Sequence, residues 1–220
     1  MADGRSLSNV DVRKMIANDV AEVASLHRQI FSDYFLTHMG QRFLERYYKE
    51  FVDQSENYGF VAVNEDVLLG FVVGMSDSER FYSRFYRRNF ALLVPISLWR
   101  LAVDPYVRRH IWSRMSHGRR ALRSLFGRAR GQDSPIESAS QSRALARLLS
   151  VGVRPECRGQ GVADALVGRF CEHLQEDGFE IVGLSVRSNN NRAISFYKKN
   201  GWQQERSSET VISFVRSTST

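Results

Sequence analysis

A chain of 220 residues holds one sizeable core and is too short for two full domains, so one domain over 1–220 with an embellishment is expected. Hydrophobic content of 43% and aromatic content of 11% are ordinary for a soluble globular protein. No run reaches the roughly 20 apolar residues that span a bilayer, and Met1 to Val10 lacks the basic-then-apolar pattern of a secretory signal, which points to the cytoplasm. The net charge of +7 is uneven: thirteen arginines, no lysine and one acid, Asp104, fall between Arg80 and Arg130, so the basicity belongs to one segment.

Val10 to Met15 alternates as a short strand, and Asn18 to Ile30 follows with Val20, Val23, Ala24 and Leu26 at helical spacing. Phe35 to Phe51 repeats the helical signal through Met39, Phe43, Leu44, Tyr47 and Phe51, with Gly40 a weak point. Phe60–Val63 and Val67–Met75 are β-rich runs around the turn-forming Asn64-Glu65-Asp66, which predicts a hairpin. From about Glu79 to Gln141 aromatics, arginines and short apolar runs broken by Pro95 and Pro105 predict an inserted helical segment. Its Ser- and Gly-rich tail, Gly131 to Ser142, reads as a linker.

Regular order resumes at Ala144. Leu145, Leu148, Leu149, Val151 and Val153 make a buried strand stopped by Pro155, and Val162, Leu166, Phe170 and Leu174 recur as one helix face. Phe179–Val186 predicts a strand, Asn191–Lys199 a helix ended by Asn200-Gly201, and Thr210–Val215 a last strand. The alternation fits an α/β or α+β sheet covered by helices. Cys157 and Cys171 lack further Cys or His ligands around them, so two free thiols are expected and no metal is assigned.

The chemistry concentrates in the strand-to-helix turn Val153-Arg154-Pro155-Glu156-Cys157-Arg158-Gly159-Gln160-Gly161-Val162-Ala163. A glycine-rich bend that opens a helix points unsatisfied N–H groups outward, and Arg158 adds a charged donor, so the turn suits a pyrophosphate. An ordinary connection with glycines placed only for tight turning is the competing reading. No Lys-Ser/Thr follows the second glycine and no G-x-G-x-x-G is present, which sets aside the P-loop and the dinucleotide fold.

Arg158-x-x-Gly161-x-Ala163, after a Val-x-Val strand and Pro155, resembles the acetyl-CoA signature of the GNAT acetyltransferase superfamily. Asn191-Arg192-Ala193-Ile194-Ser195-Phe196-Tyr197, followed by Gly201-Trp202, is similar to a second GNAT block, and the two lie one helix and one strand apart, as in that family. The resemblance implies a GNAT fold, a mixed central sheet flanked by helices, with the Arg-rich helical segment as an addition. It implies that acetyl-CoA is the co-substrate. The strand Val151, Gly152, Val153 would pair with its pantetheine amides, and Arg158, Gly159, Gln160, Gly161, Val162 and Ala163 would hold the pyrophosphate. Asn191 would contact the pantetheine arm, and Tyr197 would donate a proton to the departing thiolate.

Many relatives place a carboxylate on the strand before the CoA loop; Ala146 to Ser150 has none, so the general base is open among Asp77, Glu79, Glu137 and a water chain. Tyr34 and Phe35 lie where such proteins shape the acceptor pocket. The expected function is N-acetylation of a small-molecule amine, an amino sugar or sugar nucleotide being favoured. A protein lysine or N-terminus is the rival acceptor, and a non-catalytic acyl-CoA-binding module the rival class. Arg80, Arg84, Arg87 and Arg88, interleaved with Phe81, Tyr82, Phe85 and Tyr86, suggest a basic aromatic surface for a phosphorylated substrate or, peripherally, an anionic membrane. No nucleic-acid motif accompanies the charge, which argues against nucleic acid.

Overall fold

The computed structural model describes residues 10–103 and 145–219; the expected linker, Glu137 and the insertion beyond Val103 lie outside them. In chain order the elements are β1 (Asp11–Lys14), a 3-10 turn (Ala17–Asp19), α1 (Val20–Ile30), α2 (Phe35–His38), α3 (Gln41–Asp53), β2 (Asn57–Asn64), β3 (Val67–Met75) and α4 (Ser78–Val103). Then come β4 (Leu145–Val153), α5 (Val162–Glu176), β5 (Ile181–Arg187), α6 (Asn191–Lys199), β6 (Gln203–Ser207) and β7 (Val211–Ser217).

The strands form one seven-stranded mixed sheet in the order β1-β2-β3-β4-β5-β7-β6. Among the described residues only the β4–β5 pair is parallel. The β2–β3 hairpin turns on Glu65 and Asp66, both at positive φ, the backbone that a right-twisted two-residue hairpin requires. β3 is buried on both faces from Leu68 to Met75, which is why it reads as a continuous apolar run rather than an alternating one.

Two apolar layers sandwich the sheet. On one face α5 and α6 bring Leu166, Phe170, Leu174 and Tyr197 against Phe60, Leu148, Leu184 and Phe214. On the other, α1, α3 and the start of α4 pack Leu26, Leu44, Tyr48, Phe51, Phe81 and Phe85 over Val61, Phe71 and Val73.

Two sequence expectations need correction, and one strand is added. The Phe35–Phe51 helix is two, because Gly40 takes φ +91°, a conformation that ends α2 and restarts the chain as α3. Pro95 does not break the insertion's apolar run: it sits inside the continuous helix α4. The strand β6 was not anticipated; its five residues are all exposed and carry no apolar alternation, so it is ordered by pairing with β7 rather than by burial. Both cysteines are free thiols, and both are buried.

A polar thread crosses the second layer. His27 Nδ1 lies 2.6 Å from the Tyr48 hydroxyl, and Tyr48 is also hydrogen-bonded to Ser150 of β4. Burial pushes the His27 imidazole down to about 4, so it is neutral in the folded protein, and its Nε2 is buried with no hydrogen-bond partner among the described residues. The folded pKa lies below the ordinary value of 6.5. The unfolded chain therefore binds the proton first, and stability falls as pH drops from 6.5 toward 4. The expected loss from this group is about 3 kcal/mol. Urea unfolding against pH tests it: His27→Gln should flatten the slope in that window relative to the parent, and an unchanged slope would rule the imidazole out as its source.

Candidate active site

The site begins with a failure of strand pairing. β4 pairs with β3 along its length, from Met75↔Arg147 to Gly70↔Val153, with a bulge that leaves Leu149 unopposed. Against β5 it pairs only over Leu145–Arg147 with Ile181–Gly183. Had the register continued, Val151 would face Arg187; instead the strands part and leave a wedge whose vertex lies just beyond Arg147. The extra residue in β4 bends and twists the strand, which is what a bulge does, and this opens the wedge.

Backbone polarity inside the wedge follows from one bond. The Arg154 N–H donates to the Leu69 carbonyl of β3 at 2.8 Å. Strand alternation then turns the N–H and C=O of Val153 and Val151 the other way, toward β5. Gly152 faces the α1 layer, where a Cβ would overlap Ile30 Cδ1 and the Phe71 ring. The predicted strand Val151, Gly152, Val153 thus presents two residues' polar groups to the wedge and uses its glycine to let α1 come close.

At the wide end the turn after β4 leads into α5. Gly159 (φ +76°) and Gly161 (φ +81°) are left-handed, and a Cβ on either would meet nothing within 4 Å, so their role is conformational and the space beside them is open. Gly161 is the N-cap of α5 and has no side-chain cap. The first helical donor is Ala165, bonded to the Gly161 carbonyl at 2.9 Å, so the N–H groups of Val162, Ala163 and Asp164 have no acceptor within the helix. Gln160 is exposed and donates to the Glu156 carbonyl at 3.0 Å.

Arg158 donates from Nε to the Val153 carbonyl at 3.2 Å, which lays it along the wedge edge. Its pKa is lowered, first by burial and next by the positive charge of Arg192, the second residue of α6. Two guanidinium groups from opposite sides of the wedge therefore approach each other at the glycine turn, a repulsion that a bound anion would relieve. Arg192 was missed from sequence; it stands beside the predicted Asn191, and only the fold shows that α6 starts opposite the turn. Asn191 is exposed at the start of α6, while the capping bond comes from Asn190, whose Oδ1 accepts from the Ala193 N–H at 3.1 Å.

Tyr197 sits near the vertex. Its ring lies 6.0 Å from that of Phe214, which pairs with Leu184, one residue past the last β4–β5 pair. Burial and the nearby Tyr34 phenol raise its pKa well above the ordinary tyrosine range, with no hydrogen bond contributing. The loop between α1 and α2 comes over the mouth. The Arg187 guanidinium stacks 3.8 Å from the Tyr34 ring centroid and donates to the Asp33 carbonyl at 3.2 Å.

The candidate bases fare differently. Asp77 accepts from the Arg80 N–H at 2.9 Å and starts α4, beyond Met75 at the closed end of the wedge, and Glu79 follows it there. Neither lies on the strands that form the wedge. The basic aromatic surface also divides: Phe81 and Phe85 are core, and Arg80 and Arg84 pair with Glu56 at 2.9 and 2.8 Å, while Arg88 approaches Glu50 at 3.8 Å. Helical periodicity explains the split, since i, i+4 rows put 81 and 85 inward and 80, 84 and 88 on one flank.

The two glycine roles predict different costs. Gly161→Ala should lose about 1–2 kcal/mol through left-handed strain alone, and Gly161→Asn less. Gly152→Val should lose about 3 kcal/mol by overpacking against Ile30 and Phe71. Chemical denaturation of the three variants measures this order, and a harmless Gly152→Val would mean that α1 does not seat on β4 as described.

Comparison with known proteins finds similarity to acetyltransferases. The model of the Acetyltransferase (GNAT) family matches residues 126–202. An uncharacterized N-acetyltransferase of Methanocaldococcus jannaschii is 34% identical over 76 residues, 34% of this chain and 32% of that protein, so the match spans about a third of each. Among solved structures, Ard1 from Thermoplasma volcanium superposes with a TM-score of 0.55 at 18% identity, over 94% of this chain and 97% of that one. The PaiA N-acetyltransferase from Thermoplasma acidophilum, in complex with coenzyme A, gives 0.55 at 14%, over 95% and 99%. At these identities the structures share the fold.

Proposed function

We propose that this chain, a member of the GNAT superfamily, transfers the acetyl group of acetyl-CoA to the primary amine of a small molecule. The observation that carries the reading is the wedge: a strand edge whose Val151 and Val153 amides face away from β3, the Val153 carbonyl held by Arg158, runs straight into a helix-opening turn flanked by Arg158 and Arg192. Such an edge matches the amides of a pantetheine arm, and such a turn matches a pyrophosphate. The PaiA structure, of like fold, was solved with coenzyme A, which supports coenzyme A as the ligand here.

In this reading the thioester lies at the vertex. A neutral amine attacks the carbonyl carbon, the N–C bond forms, and the oxyanion accepts a hydrogen bond from a β4 N–H, that of Val151 being nearest the bulge. As the C–S bond breaks, Tyr197 donates its hydroxyl proton toward the developing thiolate, and the amine's surplus proton, relayed through solvent, restores the Tyr197 hydroxyl. A phenol with so high a pKa stays protonated throughout the working range, so Tyr197 is ready to donate and gives no basic limb to the rate. Buried His27, held neutral down to about pH 4, is a weak base, and its thread through Tyr48 to Ser150 serves to fix β4 beside the bulge.

For the acceptor, the mouth crossed by Tyr34 and Arg187 favours a compact molecule over an extended peptide. Arg187, rather than the acid-paired arginines of α4, is the group suited to a phosphate or carboxylate on it, and an amino sugar or sugar nucleotide has that chemistry. Tyr197→Phe should lower kcat by roughly 10²–10⁴ and leave CoA affinity unchanged. Arg158→Gln should weaken CoA binding about tenfold or more, as loss of a charge-assisted contact does. Calorimetry and thiol release measure both; CoA binding with no amine-dependent release from any amine, amino sugar or peptide would favour a binding module instead. Arg187→Gln should raise KM for anionic acceptors and spare neutral ones, and equal effects on both would remove it from recognition.

A further inference from the structure

The described exposed large hydrophobic side chains are concentrated on one element. Tyr82, Tyr86, Phe90, Val94, Trp99 and Val103 all belong to α4, with Phe90 68% and Trp99 67% exposed. The helix starts as part of the core, through Phe81, Phe85 and Asn89, and then changes character. From Phe90 to Val103 the sequence is Phe-Ala-Leu-Leu-Val-Pro-Ile-Ser-Leu-Trp-Arg-Leu-Ala-Val, with Ser97 and Arg100 its only polar members.

Geometry shows how this stretch meets its surroundings. At 3.6 residues per turn the exposed positions 90, 91, 94, 95, 99 and 103 spread over about 220° of the helix circumference, so no single flat neighbour covers them. A helix that is apolar over more than half its circumference is stable where water is scarce. Fourteen residues rise about 21 Å, short of the roughly 30 Å of a bilayer core, and no described helix is long and apolar enough to cross a membrane. Pro95 leaves the Ala91 carbonyl without its helical partner, a group that the polar interfacial region of a lipid layer can satisfy.

Charge selects the kind of layer. Thirteen arginines and one acid lie between Arg80 and Arg130, and the balance stays strongly positive with Arg80, Arg84 and Arg88 engaged by Glu56 and Glu50. Tyr86 and Trp99, amphipathic rings near either end of the apolar stretch, suit the headgroup level.

We propose that α4 from Tyr86 to Val103 is a monotopic anchor that seats the protein on an anionic lipid surface, with Phe90, Val94 and Trp99 entering the headgroup–acyl boundary. The proposal is independent of the acetyl-transfer reading, since none of these residues lies in the wedge.

The test uses the full chain with vesicles of phosphatidylcholine plus phosphatidylglycerol and vesicles of phosphatidylcholine alone. Cosedimentation should favour the anionic vesicles and weaken with salt. Phe90→Ser/Trp99→Ser should lower partitioning about a hundredfold, and Arg87→Gln about fivefold on anionic vesicles only. Unchanged CoA affinity and circular dichroism check folding. As a reading that needs no disruptive variant, brominated lipid should quench tryptophan fluorescence in the parent and much less in Trp99→Phe. Absence of binding to anionic vesicles at low salt, or binding indifferent to these substitutions, overturns the proposal. So does a dimer in sedimentation velocity that the double variant dissolves without any vesicle binding, which would make a second copy the occupant.

Discussion

The proposed site depends on two adjacent parallel strands holding together for three residue pairs and then parting. Backbone amides in a sheet normally satisfy one another, and unpaired ones inside a protein are costly. Here the cost is localised: a bulge at Leu149 bends β4 while β3 still holds its other edge, so the strand keeps its place and exposes one row of polar groups. The helices follow from that geometry. α5 leaves the wide end of β4 and α6 the wide end of β5, so their N-termini and the arginines beside them come to face the same opening. This is the general habit of open α/β sheets, in which ligands gather at the carboxyl ends of strands where the chain diverges.

The parts of this arrangement governed by local rules were readable before any coordinates. The glycines at 159 and 161, the proline stop at Pro155 and the four-residue recurrence through Val162, Leu166, Phe170 and Leu174 are short-range facts, and they located the turn and its helix. The GNAT resemblance carried the long-range part. What stayed hidden was set by partners distant in sequence. Nothing near Arg192 says that it will approach Arg158, and nothing near Tyr34 says that it will carry Arg187, 153 positions away. The Gly40 break and the strand β6 were hidden for a different reason: one positive φ overrode a good helical pattern, and one polar segment was ordered by its neighbour alone.

The arginine-rich insertion shows the same limit from the other side. By composition, Arg80 to Arg88 is a uniform basic aromatic patch. The helix sorts it into an inward aromatic row, an acid-paired flank and an outward aromatic row, and each has a different physical fate. Only the third continues past Asn89 into an apolar stretch whose described large side chains, Phe90, Val94, Trp99 and Val103, are exposed. Charge and hydrophobicity counted along a sequence become interaction surfaces only after the helical period has distributed them.

The two outer strands of the sheet add a final consequence. β1 is four residues long and reads Asp-Val-Arg-Lys; β6 is five and reads Gln-Gln-Glu-Arg-Ser, fully exposed. Short, charged borders are how sheets avoid recruiting foreign strands and aggregating. Protected at both rims, this sheet keeps its capacity for strand-like pairing in its middle, between β4 and β5, where an extended guest must be narrow enough to enter edge-on and polar enough to match a single row of amides. The fold thus guards its border against strand partners and leaves its one row of backbone groups unpaired by a neighbouring strand at its centre, between β4 and β5.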